Sequence, residues 1–456
     1  VKADATMTPK PPAIDAPAEP LTESSRSAEL RSRAREIIPG GAHTYAKGDD
    51  QYPVGAPGFI VRGQGCHVWD LDGREFIEYG MGLRAVTLGH AFPEVVAAAA
   101  AELTQGSNFN RPSPLEVECA EELLDAIEGA DMVKFSKNGS DATTAAVKLA
   151  RAATGRDLVA LCRDQPFLST DDWFIGTTAM PAGIPTSVRA MSLGFRYNDA
   201  ASLEALFRRY PAQIACVVLE PAFVQEPEPG FLDALRRLCD AEGTILIFDE
   251  TITGFRWDRG GAQRVYGVVP DLSIFGKAMA NGFSVSALAG KRPLMELGGL
   301  THTSERVFLL STTHGAETHA LAAATATMRV YRREDVVGTL HRQGLRLKAG
   351  IDEAARDLGL SDHFVVLGRT CNLIYSARDA EKKPSQAFRT LVLQETLKRG
   401  VLMPSLIVSY SHSDEDVDRT VEAIHGALRV YRKALEDGVE SQLEGRPVQP
   451  VFRPRS

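Results

Sequence analysis

What the chain lacks narrows the reading first. No apolar run approaches the roughly 18 residues a helix needs to cross a bilayer, so a spanning helix is excluded. Basic side chains are in the minority, 51 Lys and Arg against 59 Asp and Glu, and the net charge of −8 argues against nucleic acid or an anionic membrane as partner. Only six cysteines occur, at 66, 119, 162, 216, 239 and 371, with no C-x-x-C pair. Cys162 and Cys216 fall in expected core strands, where a free thiol acts as a small apolar group, and a reduced, cytoplasmic setting follows. No G-x-G-x-x-G opens a helix after an early strand, which argues against a nucleotide-dependent oxidoreductase. A charged-then-apolar leader is missing too: residues 1–25 are rich in Pro, Ala and Thr and read as a disordered tail, with Met7 a candidate natural start.

What is present is a long globular chain. Its 456 residues, 44% hydrophobic and 24% charged, suffice for one large domain and a smaller companion. From Met132 onward short apolar runs alternate with helical segments, the pattern of a parallel sheet with right-handed crossovers. Strands are expected at 132–135, 158–162, 214–219, 244–248, 272–275 and 307–310. Before them, residues 27–38 read as a helix with Leu30, Ala34 and Ile37 on one face, and 58–79 as a hairpin about the turn at 70–73. After them, helices are expected at 336–357, 385–399 and 414–437, with strands at 364–367 and 371–376. The last twenty or so residues read as an uncapped tail.

The chain is organised around residues 244–282. One strand delivers Asp249 at its tip, and another ends in Gly276 and Lys277. In a parallel sheet both tips open on the same edge, so a carboxylate and an amine face one ligand. Such a pair suits pyridoxal 5'-phosphate, which needs an amine to link its aldehyde and a carboxylate to keep its ring nitrogen protonated. The turn at 137–140, ahead of a helix, aims backbone N–H groups and a helix dipole at an anion.

These motifs, Asp249-Glu250-Thr251-Ile252-Thr253-Gly254-Phe255-Arg256, Pro270-Asp271-Leu272 and Gly276-Lys277-Ala278-Met279-Ala280-Asn281-Gly282, resemble the class III aminotransferases, in the branch of glutamate-1-semialdehyde aminomutase. The resemblance runs from about Ser27 to about Leu428. It implies an α/β, fold type I pyridoxal-phosphate transferase with a mostly parallel seven-stranded sheet and a smaller α/β domain. The implied division is 26–105 and 334–437 for the small domain and 106–333 for the large, cofactor-binding one, with tails at 1–25 and 438–456. It assigns catalysis to Lys277 and Asp249, and cofactor contacts to Asn138, Gly139, Ser140, Phe167, Glu220, Thr251 and Thr313. Phe167 stands where relatives stack an aromatic ring on the pyridine, with Leu168 replacing the histidine that follows. Thr313 matches a threonine that relatives send across a dimer interface to the other subunit's phosphate, so a homodimer with shared active sites is implied.

Departures from that pattern concern the substrate. Lys47 stands where the aminomutase has an arginine for the substrate carboxylate, and a lysine lacks the two-pronged fork. Arg84 and Arg369 are the alternative anion contacts. Between Ser405 and His412 the aminomutase's glutamate-bearing gate loop is shortened and carries no glutamate. Asp49, Asp50 and Glu317 near the expected entrance favour an aldehyde, ketone or aminated sugar-like acceptor. The reaction read from these features moves an amino group from an amino-acid donor to an aldehyde or ketone in a specialised pathway; the alternative is an intramolecular aminomutase. His314, Glu317 and His319 are spaced H-x-x-E-x-H, which matches no zinc-helix motif, so no metal is expected.

Overall fold

The computed structural model describes residues 23–453. Most of the tail expected at 1–25 therefore lies outside the described residues. From Ser25 the chain is already helical: Ser25–Ile37 starts at the N-cap Ser24, whose side chain accepts from the Ser27 N–H. The apolar face expected there is not buried, since Leu30 and Ile37 are exposed and only Ser27 and Ala34 are covered.

Three short antiparallel strands follow, β1 (Ile60–Gln64), β2 (His67–Asp70) and β3 (Glu75–Glu78), so the expected hairpin is a meander with its second turn at 71–74. The central sheet comprises β4 (Met132–Ser136), β5 (Leu158–Cys162), β6 (Ser192–Phe195), β7 (Ile214–Leu219), β8 (Ile245–Asp249), β9 (Leu272–Phe275) and β10 (Ser286–Gly290). Its order is β4-β10-β9-β8-β7-β5-β6, and only β10 runs against the rest. All six residues of β7 are buried, as a strand covered on both faces requires.

β10 is a strand the sequence concealed. Its Ser-Ala-Leu-Ala-Gly sequence lacks the branched residues that signal a strand, yet all five residues are buried between β4 and β9. Conversely, 307–310 is not a strand. Only Leu309 of that apolar run is buried, Phe308 is exposed, and the Val307 N–H bonds locally to the Leu297 carbonyl.

The C-terminal elements are β11 (Phe364–Leu367), β12 (Ile374–Ala377) and β13 (Val401–Leu402), with helices Val336–Asp357, Gln386–Leu397 and Asp414–Asp437. β13 pairs in parallel with β3, which ties the end of the chain to its beginning in one four-stranded sheet. The last described residues are not a loose tail. The Val448 N–H donates to Thr390 Oγ1 and the Glu444 N–H to Gln394 Oε1, so polar side chains of a buried helix hold that backbone in place. Arg453 pairs with Asp50 at 2.7 Å.

Candidate active site

Parallel pairing of β8 with β9 sets Asp249 opposite Ile274, so the chain leaves β9 through Gly276 and Lys277 beside the Asp249 tip. Lys277 itself is held at φ 44°, in the left-handed region. Nearby, Asn281 clamps the turn, accepting from the Leu88 N–H at 2.9 Å and donating to the Gly89 carbonyl at 3.0 Å. Neighbouring carboxylates have different tasks. Glu250 points away and takes the N–H groups of Ala262 and Gln263, each at 2.7 Å.

A cavity of about 280 Å³ opens at this edge, lined by Lys137, Asn138, Gly139, Ser140, Phe167, Glu220, Asp249, Thr251 and Lys277, with Ala85, Phe283 and Ser286 among the remaining walls. Eight of the nine residues expected at the cofactor or in catalysis thus converge on one space. The ninth, Thr313, lies outside it; Thr313 is exposed and its carbonyl accepts from Asn108 at 3.0 Å. A larger groove of about 640 Å³, lined by Arg163, Arg189 and Phe452 among others, has no carboxylate or amine in its wall.

The cavity suits a phosphorylated pyridine at each end. At one end the 16-residue helix Gly139–Thr154 begins, with Asn138 as its cap accepting from the Asp141 N–H. The Asn138 amide also donates to Asp141 Oδ2 at 2.9 Å. Ser140 Oγ accepts from the Thr170 N–H at 3.0 Å, which leaves its own proton to give. Gly139 keeps room there, since an added Cβ would lie 3.0 Å from Thr251 Oγ1, a contact to which the threonine side chain would have to yield. At the other end Asp249 accepts from the Thr251 N–H at 2.9 Å. Phe167 supplies an aromatic wall, 44% exposed and packed edge-on against Phe174 at 5.8 Å.

Burial dominates the electrostatics. It pushes the Glu220 carboxyl up, the neighbouring Asp249 adding to the effect while Lys277 and Arg84 oppose it. It raises Asp249 as well, against hydrogen bonds from Thr251 and the charge of Lys277. The Lys277 ammonium is pushed down by burial, with Glu220 and Asp249 opposing. Part of Lys277 stays open to the cavity while protein crowds it elsewhere. Gln165 fixes Glu220 from behind, donating to its carbonyl at 2.6 Å and accepting from its N–H at 2.8 Å.

The expected substrate contacts separate. Lys47 is exposed on the turn Tyr45–Lys47 and does not line the cavity. Arg369 is paired with Glu226 at 3.1 Å, away from the lining. The acidic residues thought to mark the entrance are neutralised: Asp49 pairs with Arg35, Asp50 with Arg453, and Glu317 with Lys137 and His314. They give no support to an amine-bearing acceptor. Glu317 is also too committed to act as a metal ligand. A different trio, Cys66, His67 and Asp416, brings its ligand atoms within 4.8 Å of one another, but Asp416 there already accepts from Cys66, His67 and Ser413.

Arg84 ends a feature the sequence did not announce. Met81, Gly82, Leu83 and Arg84 have φ of 41°, 57°, 58° and 70°, a full left-handed turn. For the three non-glycine residues this costs roughly 1–2 kcal/mol each. The only advance sign was an arginine in a run of Gly and Met. Arg256, fully buried, secures the turn by donating from Nη2 to the Arg84 carbonyl at 2.7 Å.

Comparison with known proteins adds three findings. The family model described as Aminotransferase class-III matches residues 46–428. A glutamate-1-semialdehyde 2,1-aminomutase of Roseiflexus castenholzii is 34% identical over 436 residues, spanning 91% of this chain and 99% of that protein. Among solved structures, the PLP internal aldimine form of Sphingopyxis sp. MTA144 FumI protein superposes with a TM-score of 0.84 at 29% identity, covering 93% of this chain and 99% of its own. An omega-transaminase from Sphaerobacter thermophilus follows with a TM-score of 0.80 at 28% identity, over 89% of this chain and 97% of its own.

Proposed function

The chain belongs to the class-III aminotransferases, pyridoxal-phosphate enzymes of fold type I, and on that footing we propose that it moves an amino group from an amino-acid donor to an aldehyde or ketone acceptor in a specialised biosynthetic pathway. The observation that carries the reading is the meeting of Lys277, Asp249 and the N-terminus of helix Gly139–Thr154 in one cavity. When bound, pyridoxal phosphate supplies an aldehyde that takes up the amino group and a ring that accepts electrons released at carbon.

In this reading Lys277 Nζ anchors the cofactor. Because burial disfavours its charge, the freed amine then takes the proton from the donor's amine-bearing carbon and later returns one to the acceptor. Asp249 holds the proton on the ring nitrogen, and a cation there draws its carboxyl back to the ionised form. The backbone at Gly139, with Ser140, binds the phosphate; Thr313 does so from a second copy in a homodimer. Glu220 and Thr251 complete the cofactor's polar wall, and Phe167 packs on its face. The division into a large domain at 106–333 and a small one from 26–105 and 334–437 is part of the same proposal, supported by the pairing of β3 with β13.

The aminomutase named among the relatives supports a second reading, intramolecular transfer. That reaction needs the intermediate kept behind a mobile gate. Here Leu406, Ile407, Val408 and Ser409 are buried, with the Leu406, Ile407 and Tyr410 N–H groups bonded to Leu373, Tyr79 and Thr87 carbonyls. A segment so pinned favours transfer between two molecules. The test is a donor screen: a keto acid released together with amination of a second compound is expected, and quantitative conversion of glutamate semialdehyde without a donor would overturn it. Borohydride reduction should trap the cofactor on Lys277.

A further inference from the structure

The larger groove, about 640 Å³ in volume, takes no part in the chemistry above. It lies at the β5–β6 edge of the central sheet and shares no lining residue with the cavity. Phe174 in its wall packs edge-on against Phe167 in the cavity's wall, so the aromatic pair stands between the two spaces. Phe452, which also lines it, comes from beyond residues 46–428, the stretch matched by the family model.

Hydrogen-bond donors decide what such a groove holds. Thr177, Thr178 and Ser192 give their hydroxyl protons to the Phe174, Ile175 and Trp173 carbonyls at 2.7, 2.8 and 2.6 Å. The Gln165 amide is engaged with the Glu220 backbone. The strong side-chain donors left over belong to two arginines. Arg163 makes one hydrogen bond, from Nη2 to the Gly194 carbonyl at 2.8 Å, and the Arg189 guanidinium makes none among the described residues. Neither meets a carboxylate there, and Asp164, next to Arg163, accepts from the Tyr197 N–H instead.

Nor are these loose surface chains. Arg163 lies across Gly194, where a Cβ would sit 3.4 Å from its Nε, and the Arg189 stem rests on Gly176, where a Cβ would sit 2.8 Å from its Cγ. Two glycines thus bed the arginines against one space that has Leu161, Pro166, Phe174 and Phe452 in its walls. Two guanidinium groups without an anion match a single group that carries two negative charges, and the volume is that of a small-molecule site. The net charge of −8 argues against a polyanion such as nucleic acid.

We propose that this groove is a second binding site, separate from the cavity, for a small phosphate ester: Arg163 and Arg189 hold the phosphate, and the apolar walls receive the body of the molecule. The site goes beyond the transferase reading and does not depend on it.

The probe is phenyl phosphate, titrated calorimetrically into the borohydride-reduced holoenzyme, in which trapped cofactor fills the cavity's own phosphate cradle. One equivalent per chain should bind to the native protein, with the affinity falling about 10-fold or more in the double variant Arg163→Gln, Arg189→Gln. Inorganic phosphate should bind more weakly than the ester. Both arginines are exposed, so the double variant should melt with the native protein. Gly194→Ala, whose Cβ presses only on Arg163, should weaken binding severalfold and decides the matter if the double variant is unstable. No uptake by the native protein, as when a second copy covers the groove, overturns the proposal, and so does equal affinity in the variants. Inorganic phosphate binding as tightly as phenyl phosphate overturns the assignment of an ester. If no cofactor is trapped, the transferase reading fails while the comparison of native and variant proteins still decides the groove.

Discussion

Two buried polar clusters of this molecule look alike in composition and differ in bookkeeping. Where the N-terminal meander meets helix Asp414–Asp437, Asp416 accepts from the Ser413 N–H, Ser413 Oγ, Cys66 Sγ and His67 Nε2, and Tyr79 donates to Thr420 at 2.9 Å. Hydrogen bonds from His67 and Ser413 overcome the burial that would raise Asp416 and hold its carboxyl well below the usual range. At the cavity the reverse holds. Glu220, Asp249 and Lys277 are displaced chiefly by burial, which no full set of partners offsets. The Asp416 carboxylate finds its partners within the fold, while the cavity's charged groups face a space that a ligand can fill.

That contrast breaks first at Lys277. Lys277→Ala should lower the donor half-reaction by about 10⁴-fold or more and abolish borohydride labelling. Its unfolding midpoint without cofactor should hold or rise, since a crowded cation is removed. A less stable, still active variant would put Lys277 in the structural class. Next comes Asp249→Asn, with a loss of roughly 10²–10³-fold in the same half-reaction and little change in stability. The mirror experiment is Asp416→Asn: stability should fall by about 1–3 kcal/mol in denaturant unfolding while the half-reaction persists.

Acidity sharpens the same distinction. A lowered Lys277 loses its base form as pH falls through a value below the ordinary lysine range, so the half-reaction should decline on the acid side of that point. Asp416, held low, stabilises the fold above the ordinary carboxylate range and loses that contribution as pH falls towards its own value. His67, raised by its bond to Asp416, acts the other way: its contribution is whole below the ordinary histidine range and is lost as pH rises past its raised value. Unfolding of the native protein and Asp416→Asn across pH should therefore converge in acid. The smallest effect is expected at Gly139→Ala, where a Cβ 3.0 Å from Thr251 Oγ1 should weaken cofactor binding severalfold with rates at saturation nearly kept.

Legibility in the sequence followed local pattern. β5, β7, β8 and β9 were readable because apolar runs between turn residues leave a chain few alternatives, and Asp249 and Lys277 came with them. β10 was hidden because Ala and Gly mark no period, and 307–310 misled because an apolar run can serve a surface loop. The pairing of Asp49, Asp50 and Glu317 was invisible because each partner is remote in sequence or set by loop geometry. The left-handed turn at 81–84 could not be read from its glycine alone, since the other three of its four residues are ones that ordinarily avoid that conformation.

One consequence follows from the reversal of β10. A strand that returns beside β9 makes residues 276–285 a closed lasso whose two feet, Lys277 and Ser286, stand on the rim of the same basin. Lengthening or shortening that lasso would drag the amine off its mark, whereas an insertion in the exposed stretch 303–306 leaves both feet where they stand.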